Sequence, residues 1–202
     1  MMICCLVFFG WALIACRDSD DEIPDKPEPP QEETRLEKAL AAMRQHTNFA
    51  LEITVDMGYT EDTHIIRFDH DKSYFIMGDT MGYYHRDGDQ CYAYDVTFTA
   101  AFKQVIACDT IHPAYTFYKN FEADWFSETE DGYQANAAGL DFVKDAFSQH
   151  LEVVEITNLY LTLQGEQFDT LSLTLTTVAY TYELTMTFSH FNAVSLVLPE
   201  VD

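Results

Sequence analysis

The sequence predicts an α+β domain in which a long antiparallel sheet is covered on one side by helices. Three long segments near the C-terminus alternate between apolar and polar residues, which is the pattern of strands with one apolar face. Two other segments repeat their apolar residues every three or four positions, as amphipathic helices do. The apolar face of such a sheet needs a cover, and the two helices or a bound apolar ligand can supply it.

The first helix is predicted over residues 34–46 and the first strand over residues 49–57. Thr34 can cap the helix, because Glu37 follows three residues later in a capping-box arrangement. In the strand segment, apolar residues occupy every second position. The predicted helix face carries Leu36, Leu40 and Met43.

Short strands and turns are predicted through the middle of the chain. The strands are expected at residues 65–69, 73–77, 81–86 and 91–96, with tight turns at 69–71 and 87–89. Residues 102–107 have the composition of a further strand, residues 109–121 are interpreted as a loop or a short helix, and residues 130–132 as a turn. A second helix is predicted over residues 138–149, and the three long strands over residues 159–164, 170–176 and 182–189.

The N-terminus has the pattern of a lipoprotein export signal. Residues 1–15 are apolar and uncharged, too short for a membrane span of about 20 residues, and Leu13-Ile14-Ala15-Cys16 resembles a lipobox. We therefore expect a signal peptide over residues 1–15 and a lipidated Cys16. The apolar run lacks a preceding Lys or Arg, so an uncleaved anchor with an incidental cysteine stays open. Either interpretation places the rest of the chain outside the cytoplasm, on the cell membrane or on an outer membrane.

Residues 16–33 are expected to be a tether, and residues 34–202 a single domain. Four prolines and eight acidic residues fall in the tether segment, which has too few apolar residues to fold. Proline-rich chain of this length extends up to roughly 50 Å. About 169 residues follow, which fits one domain with its own core.

The strong negative charge excludes several classes of partner. The formal net charge is −23, of which −17 falls on residues 34–202. A chain with this charge is repelled by nucleic-acid phosphates and by anionic lipid headgroups. We therefore expect no nucleic-acid partner, and membrane attachment through the acylated Cys16 with its palmitate-type chains.

Two cysteines remain in the domain, and the sequence does not indicate a catalytic or metal site. Cys91 and Cys108 form either a disulfide, which is reasonable outside the cytoplasm, or two buried thiols. Neither belongs to a zinc-binding spacing, and the seven histidines are scattered. Hydrolase and phosphate-loop motifs are missing, so we predict no catalytic residue, no metal, no cofactor and no enzyme activity.

Two segments give the chain a family resemblance. Asn48-Phe49-Ala50-Leu51-Glu52-Ile53-Thr54 and the closing stretch from Phe188 through Asn192 to Pro199 resemble the bacterial lipid-binding lipoproteins of the LolA/LolB and LppX/LprG type. The resemblance spans roughly residues 34–200; it departs at His190, where an Asp is common, and is weakest in the middle third.

The resemblance implies a curved antiparallel sheet and a function without catalysis. The sheet would be an incomplete β-barrel of about 8–11 strands, with two or three helices on its concave face and a cavity for acyl chains. Its ligand-binding residues are unknown from the sequence, and whether the helices leave a cavity stays open. The first hypothesis is therefore a carrier or sensor of lipid or another hydrophobic ligand in the cell envelope. The alternative is an interaction module with a solid core, no ligand and an envelope protein partner.

Overall fold

A computed structural model describes residues 33–78, 80–96, 101–108, 116–149 and 151–201. The predicted signal peptide, Cys16 and all of the tether except Glu33 lie outside the described residues. The segment Glu33–Asp202 forms one compact unit, and its described residues contain their own hydrophobic core.

The predicted helices and strands occur in the predicted order, but the short strands Phe126–Glu128 and Tyr133–Ala135 are additional, and the strand Val153–Gln164 begins six residues before its predicted start at residue 159. The N-terminal part comprises α1 (Arg35–Gln45), β1 (Asn48–Asp56), β2 (Glu61–Asp69), β3 (Lys72–Met77), β4 (Thr80–Asp87), β5 (Gln90–Val96) and β6 (Ala101–Ile106). Two short 3₁₀ turns follow at Phe117–Asn120 and Ala123–Trp125. The C-terminal part comprises β7 (Phe126–Glu128), β8 (Tyr133–Ala135), α2 (Ala137–Ser148), β9 (Val153–Gln164), β10 (Gln167–Thr177) and β11 (Thr181–Ser189).

All eleven strands belong to one antiparallel sheet. Their order is β6-β5-β4-β3-β2-β1-β11-β10-β9-β8-β7, so the first strand pairs with the last. Within the described residues β6 and β7 are the two edges, and the sheet is not closed into a barrel. The predicted α+β class is confirmed, with a strand number at the upper end of the expected range and two α-helices.

Alternation along the central strands creates an apolar inner face. Leu51 on β1 lies opposite Ile66 on β2 and Phe188 on β11, and all three side chains are buried. Met186 on β11 likewise lies opposite Leu171 on β10. The face that these side chains share is called the inner face below, and the opposite one the outer face.

A bulge in β9 changes which residues point to the inner face. Asn158 adopts a positive φ of 54°, and its amide donates a hydrogen bond to Thr174 Oγ1 at 3.1 Å. The pairing of β9 with β10 shifts at this point. Ile156 and Leu159 are therefore both buried although they are three residues apart.

The structure corrects several predicted boundaries. β2 begins at Glu61 and not at residue 65, because its polar first half pairs with β1 as far as Asp56. The second helix begins at Ala137, because the side chain of Asn136 accepts hydrogen bonds from the next turn and caps it. The capping box of Thr34 and Glu37 is present as predicted.

A disulfide joins the two cysteines of the domain. Cys91 and Cys108 are bonded, with their Cα atoms 5.1 Å apart and a sequence separation of 17 residues. β5 and β6 pair in antiparallel fashion, with Cys91 opposite Ile106. This pairing brings the start of β5 beside the chain that follows β6.

Neither described helix has the length and apolar character needed to cross a bilayer.

Candidate hydrophobic ligand site

Helix α1 and the 3₁₀ turns cover the middle of the inner face. Arg35 fixes the start of the helix, because its guanidinium donates to Leu163 O at 2.8 Å and to Gly165 O at 2.6 Å. Arg44 in the last turn donates to Phe121 O at 2.5 Å. The helix turns its buried residues toward β10 and the first 3₁₀ turn; they are Leu36, Ala39, Leu40 and Met43.

Aromatic side chains fill the space beneath this cover. The ring of Phe188 meets those of Tyr118 and Phe168 edge-on, with centroids 4.9 and 5.4 Å away. Phe117 and Phe121 pack against one another at 5.7 Å beside them. All five residues are buried. Among the described residues, the middle of the inner face is therefore packed with rings and does not enclose a hollow.

The inner face stays open at one end. A cleft of about 220 Å³ lies where β1 ends, β11 begins and α2 ends. An apolar cavity of about 150 Å³ can hold a benzene, whereas sites for drug-sized ligands span about 300–1,000 Å³. The cleft thus has room for part of a single chain or for one ring. Its lining consists of Ile53, Val55, His64, Phe147, Leu151, Leu175, Tyr182 and Leu184.

Strand pairing places most of this lining. Val55 lies opposite Leu184 in the β1–β11 pair, and Leu175 lies opposite Tyr182 in the β10–β11 pair. Leu151 follows α2, where its backbone N–H donates to the carbonyl oxygen of Phe147 at 3.0 Å. Its side chain is 47% exposed, so the rim of the cleft carries an apolar side chain in contact with water.

His64 introduces a polar group into this apolar surface. It lies on the inner face of β2, opposite Ile53 on β1 and Met77 on β3. Its Nδ1 atom is buried, and no hydrogen-bond partner for it is found in the described part of the chain. A buried polar atom without a partner is uncommon in folded proteins and calls for a physical explanation.

Tyr118 carries the other buried side-chain atom that lacks a partner among the described residues. Its hydroxyl lies within the aromatic filling, and burial raises the pKa of Tyr118 far above its ordinary value of 10.0. The hydroxyl therefore stays protonated, and it does not border the cleft.

Two larger depressions have charged walls. One of about 430 Å³ lies on the outer face between Arg67, Glu52 and the C-terminal segment 193–195. Another of about 460 Å³ lies beside α2 and includes Lys144 and Glu155. Within the described ranges, no group of three potential ligand side chains is arranged to hold a metal ion.

The cleft brings together residues that the sequence analysis did not group. Cys16, the predicted lipidation site, lies outside the described residues, and the Cys91–Cys108 disulfide is not part of the cleft. His64 shares its position in the alternation with Ile66 and Phe68, a signal that points to the inner face. The sequence analysis did not assign His64 to this strand, because the predicted strand began at residue 65.

Comparison with known proteins finds matches among solved structures. No family model and no curated protein matches the sequence. Among solved structures the chain is similar to LprF from Mycobacterium bovis, over 82% of this chain and 94% of that one, with 9% sequence identity and a TM-score of 0.36.

Proposed function

We propose that this protein is an extracytoplasmic lipoprotein that binds lipid or another hydrophobic ligand in the cleft at the open end of the inner face. The observation that carries the proposal is the lining of the cleft, in which six of the eight side chains are aliphatic or phenylalanine. A concave, mainly apolar surface with few polar groups is typical of a small-molecule site.

The exposed apolar surface at the rim of the cleft favours the binding of a ligand. Leu151 is 47% exposed, and Val55 and Tyr182 are half-buried, so the cleft leaves apolar surface in water. Burying such surface stabilises a complex by roughly 25 cal/mol per Å². A ligand in the cleft would cover this surface without moving the packed rings beneath α1.

The proposed anchor rests on the lipobox and on charge. Acylation of Cys16 would hold the protein on the membrane, whereas a net charge of −23 opposes electrostatic docking to anionic lipids. The Cys91–Cys108 disulfide suits an oxidising compartment outside the cytoplasm. No catalytic role is part of the proposal.

A second candidate function is an interaction module that binds an envelope protein and no small ligand. The observation that favours it is the filled middle of the inner face, where Tyr118, Phe168 and Phe121 are each no more than 1% exposed. In this interpretation the cleft is a shallow gap at the edge of a filled core and binds no ligand.

Blocking the cleft separates the two candidates. The fluorescent apolar probe N-phenyl-1-naphthylamine would be titrated into the unit Glu33–Asp202 and into the variants Val55→Trp and Thr54→Trp. Val55 lines the cleft, whereas Thr54 is the next residue of the same strand and lies on the outer face. We expect saturable binding that is lost in Val55→Trp and kept in Thr54→Trp. Absence of binding to the unsubstituted protein would favour the interaction module.

The anchor has a test of its own. Cells that produce the full chain would be fed an alkyne-tagged palmitate, and the protein would then be probed for the label. We expect label on the unsubstituted chain and none on Cys16→Ser, with Cys4→Ser and Cys5→Ser as controls that keep it. Label that survives in Cys16→Ser would contradict the lipobox assignment.

A further inference from the structure

We propose that the open end of the sheet docks onto a bilayer of zwitterionic lipid through apolar and aromatic side chains on its turns. The inference goes beyond the proposed function, because docking does not require a ligand in the cleft. Its starting point is a pair of turns, residues 57–60 between β1 and β2 and residues 178–180 between β10 and β11.

These two turns lie side by side at the mouth of the cleft. The strand order β2-β1-β11-β10 makes their hairpins neighbours in the sheet, and Asp56 lies opposite Glu183, so both turns are at the same end. Val55 and Tyr182, which line the cleft, come just before the first turn and just after the second. The ring of Tyr180 in the second turn meets the ring of Tyr182 edge-on, with centroids 6.2 Å apart.

The turns present large side chains to water. Tyr59 is 72% exposed and Val178 is 77% exposed, and Tyr180 and Leu151 beside them are about half exposed. These four side chains are called the apolar tips below. Turns are normally built from Gly, Pro, Asn, Asp and Ser, so turn formation does not explain Tyr59 or Val178. Exposed apolar surface gathered in one place marks a site of interaction with a protein or a membrane.

Hydrogen bonds within the turns hold the tips in place. Thr177 N donates to Tyr180 O at 2.8 Å, and Thr177 Oγ1 accepts from Tyr180 N at 3.0 Å. In the other turn, Met57 N donates to Thr60 O at 3.0 Å. The backbone of both turns is therefore ordered before any partner binds, which lowers the entropy cost of docking.

The chemistry of the tips favours a bilayer. Tyrosine beside aliphatic side chains is the composition of the membrane–water interface, where the ring is buried and the hydroxyl stays hydrated. The tips of the hairpins protrude from the end of the sheet and do not form a groove. A bilayer can accept separate protrusions, because it needs no complementary surface of fixed shape.

Charge at the base of the turns selects the kind of lipid. Asp56 lies opposite both Glu61 and Glu183, so three carboxylates cross the sheet directly behind the tips. They oppose the approach of anionic headgroups. A zwitterionic headgroup instead presents its ammonium group outermost, and this group can pair with the carboxylates.

The predicted tether is long enough for such docking. Arg35, at the start of α1, donates to Gly165 O in the turn between β9 and β10, which is at the opposite end of the sheet from residues 178–180. The 11 residues of β10 span about 37 Å between these ends. A proline-rich tether that extends up to roughly 50 Å covers this distance. An anchor at Cys16 thus allows the open end to reach the bilayer.

Vesicle binding tests the inference. The unit Glu33–Asp202, which contains its own core, would be centrifuged with sucrose-loaded phosphatidylcholine vesicles at increasing lipid concentration. We expect binding that weakens about tenfold or more in Tyr59→Ser/Val178→Ser, because these side chains no longer leave water on docking. The matched control is Val105→Ser/Val197→Ser, which removes side chains that are 70% and 82% exposed elsewhere and should bind as before. Phosphatidylglycerol added to the vesicles should weaken the binding.

Several results would overturn docking. They are absence of vesicle binding, equal binding by Tyr59→Ser/Val178→Ser, and stronger binding to vesicles that contain phosphatidylglycerol. Sedimentation velocity would detect a dimer of the unit that Tyr59→Ser/Val178→Ser separates into monomers. Such a dimer would make the tips an interface between two copies of the chain and would also overturn docking.

The cleft variant separates this inference from the proposed function. Val55→Trp should lose N-phenyl-1-naphthylamine and still bind vesicles. Loss of vesicle binding in Val55→Trp would mean that the vesicles merely supply lipid to the cleft, and docking would be overturned. If the unsubstituted protein binds vesicles but not the probe, the proposed function fails and docking stands. If it binds the probe but not vesicles, docking alone fails.

Discussion

His64 lies directly opposite Ile53 in the β1–β2 pair, whereas Phe49, four residues before Ile53 on β1, lies opposite Phe68. The rings of Phe49 and Phe68 are 4.7 Å apart and belong to the filled part of the inner face. At the other end the imidazole borders a cleft, and its Nδ1 atom has no partner among the described residues. One strand pair therefore has a packed end and an open end, and the open end is where a ligand can enter.

Removing the hydroxyl of Tyr118 should stabilise the protein. The group is fully buried without a described partner, so Tyr118→Phe relieves a desolvation cost, and we expect a gain of about 1 kcal/mol in the free energy of unfolding. Urea unfolding measures it as a higher midpoint with an unchanged slope. Tyr160→Phe is the control: its hydroxyl lies 2.9 Å from Thr129 Oγ1, so its loss should lower the midpoint. Destabilisation by Tyr118→Phe would reveal an unseen partner for the hydroxyl.

The same tyrosine should make stability fall at high pH. Burial raises the pKa of Tyr118 above the ordinary 10.0, so above about pH 10 the unfolded chain loses this proton while the folded chain keeps it. The titration of Tyr118 leaves the free energy of unfolding unchanged below that pH and lowers it as the pH rises further, by up to about 1.4 kcal/mol per pH unit. Urea midpoints at increasing alkaline pH should decline less steeply for Tyr118→Phe. Equal slopes in the two proteins would show that Tyr118 ionises freely.

The fold was largely predictable because its helices and strands follow from short-range patterns in the sequence. Leu171, Leu173 and Leu175 alternate with polar residues, and Thr34 with Glu37 marks a helix start, so strand, face and cap follow from neighbours in sequence. The bulge at Asn158 was not predictable in this way. It depends on a hydrogen bond to Thr174 on the next strand, which is a tertiary contact.

The site was less predictable than the fold. Its lining comes from β1, β2, β10, β11 and the end of α2, and only the strand order brings these together. The alternation of β2 places His64 on the same face as Ile66. The local sequence does not show, however, that Phe147 and Leu151 leave this part of the inner face uncovered. Whether a core is filled depends on the packing of Tyr118 and its neighbours, which composition does not determine.

Asn48 should hold the C-terminal segment against the sheet. Its side chain donates to Asp69 Oδ1 at 3.0 Å and to Val194 O at 2.8 Å, and it accepts from Val194 N at 2.9 Å. Asp69 also accepts a hydrogen bond from Leu196 N at 2.9 Å. We expect Asn48→Ala to cost about 2 kcal/mol of stability, because the partly buried groups of Asp69 and Val194 lose their bonds to this buried side chain.

Hydrogen exchange measures the local effect of this change. The amides of Val194 and Leu196 should exchange faster in Asn48→Ala, while those of β10 follow only the change in global stability. Asn120→Ala, at an exposed position, is the control and should leave both rates unchanged. Unaltered exchange at Val194 in Asn48→Ala would mean that the segment is held by other contacts.

The disulfide should contribute measurably to stability. Cys91 and Cys108 are 17 residues apart, and a cross-link across a loop of this length contributes about 3 kcal/mol in the chain-entropy account. In the unit Glu33–Asp202 they are the sole cysteines, so a reductant should lower the melting temperature. The double variant Cys91→Ala/Cys108→Ala should melt at the lower temperature with or without reductant. If the reductant does not change the melting temperature of the unsubstituted protein, this result would argue against the disulfide bond.

The most direct test of the ligand site is to follow methyl resonances while 1-decanol is added to the unit Glu33–Asp202. We predict that the methyl groups of Ile53, Val55, Leu175 and Leu184 shift in a saturable way, because they line the cleft. Those of Leu161 and Leu171, which are fully buried in the packed part of the inner face, should stay in place. No shifts at saturating ligand, or shifts centred on Leu161 and Leu171, would contradict a ligand site at the open end.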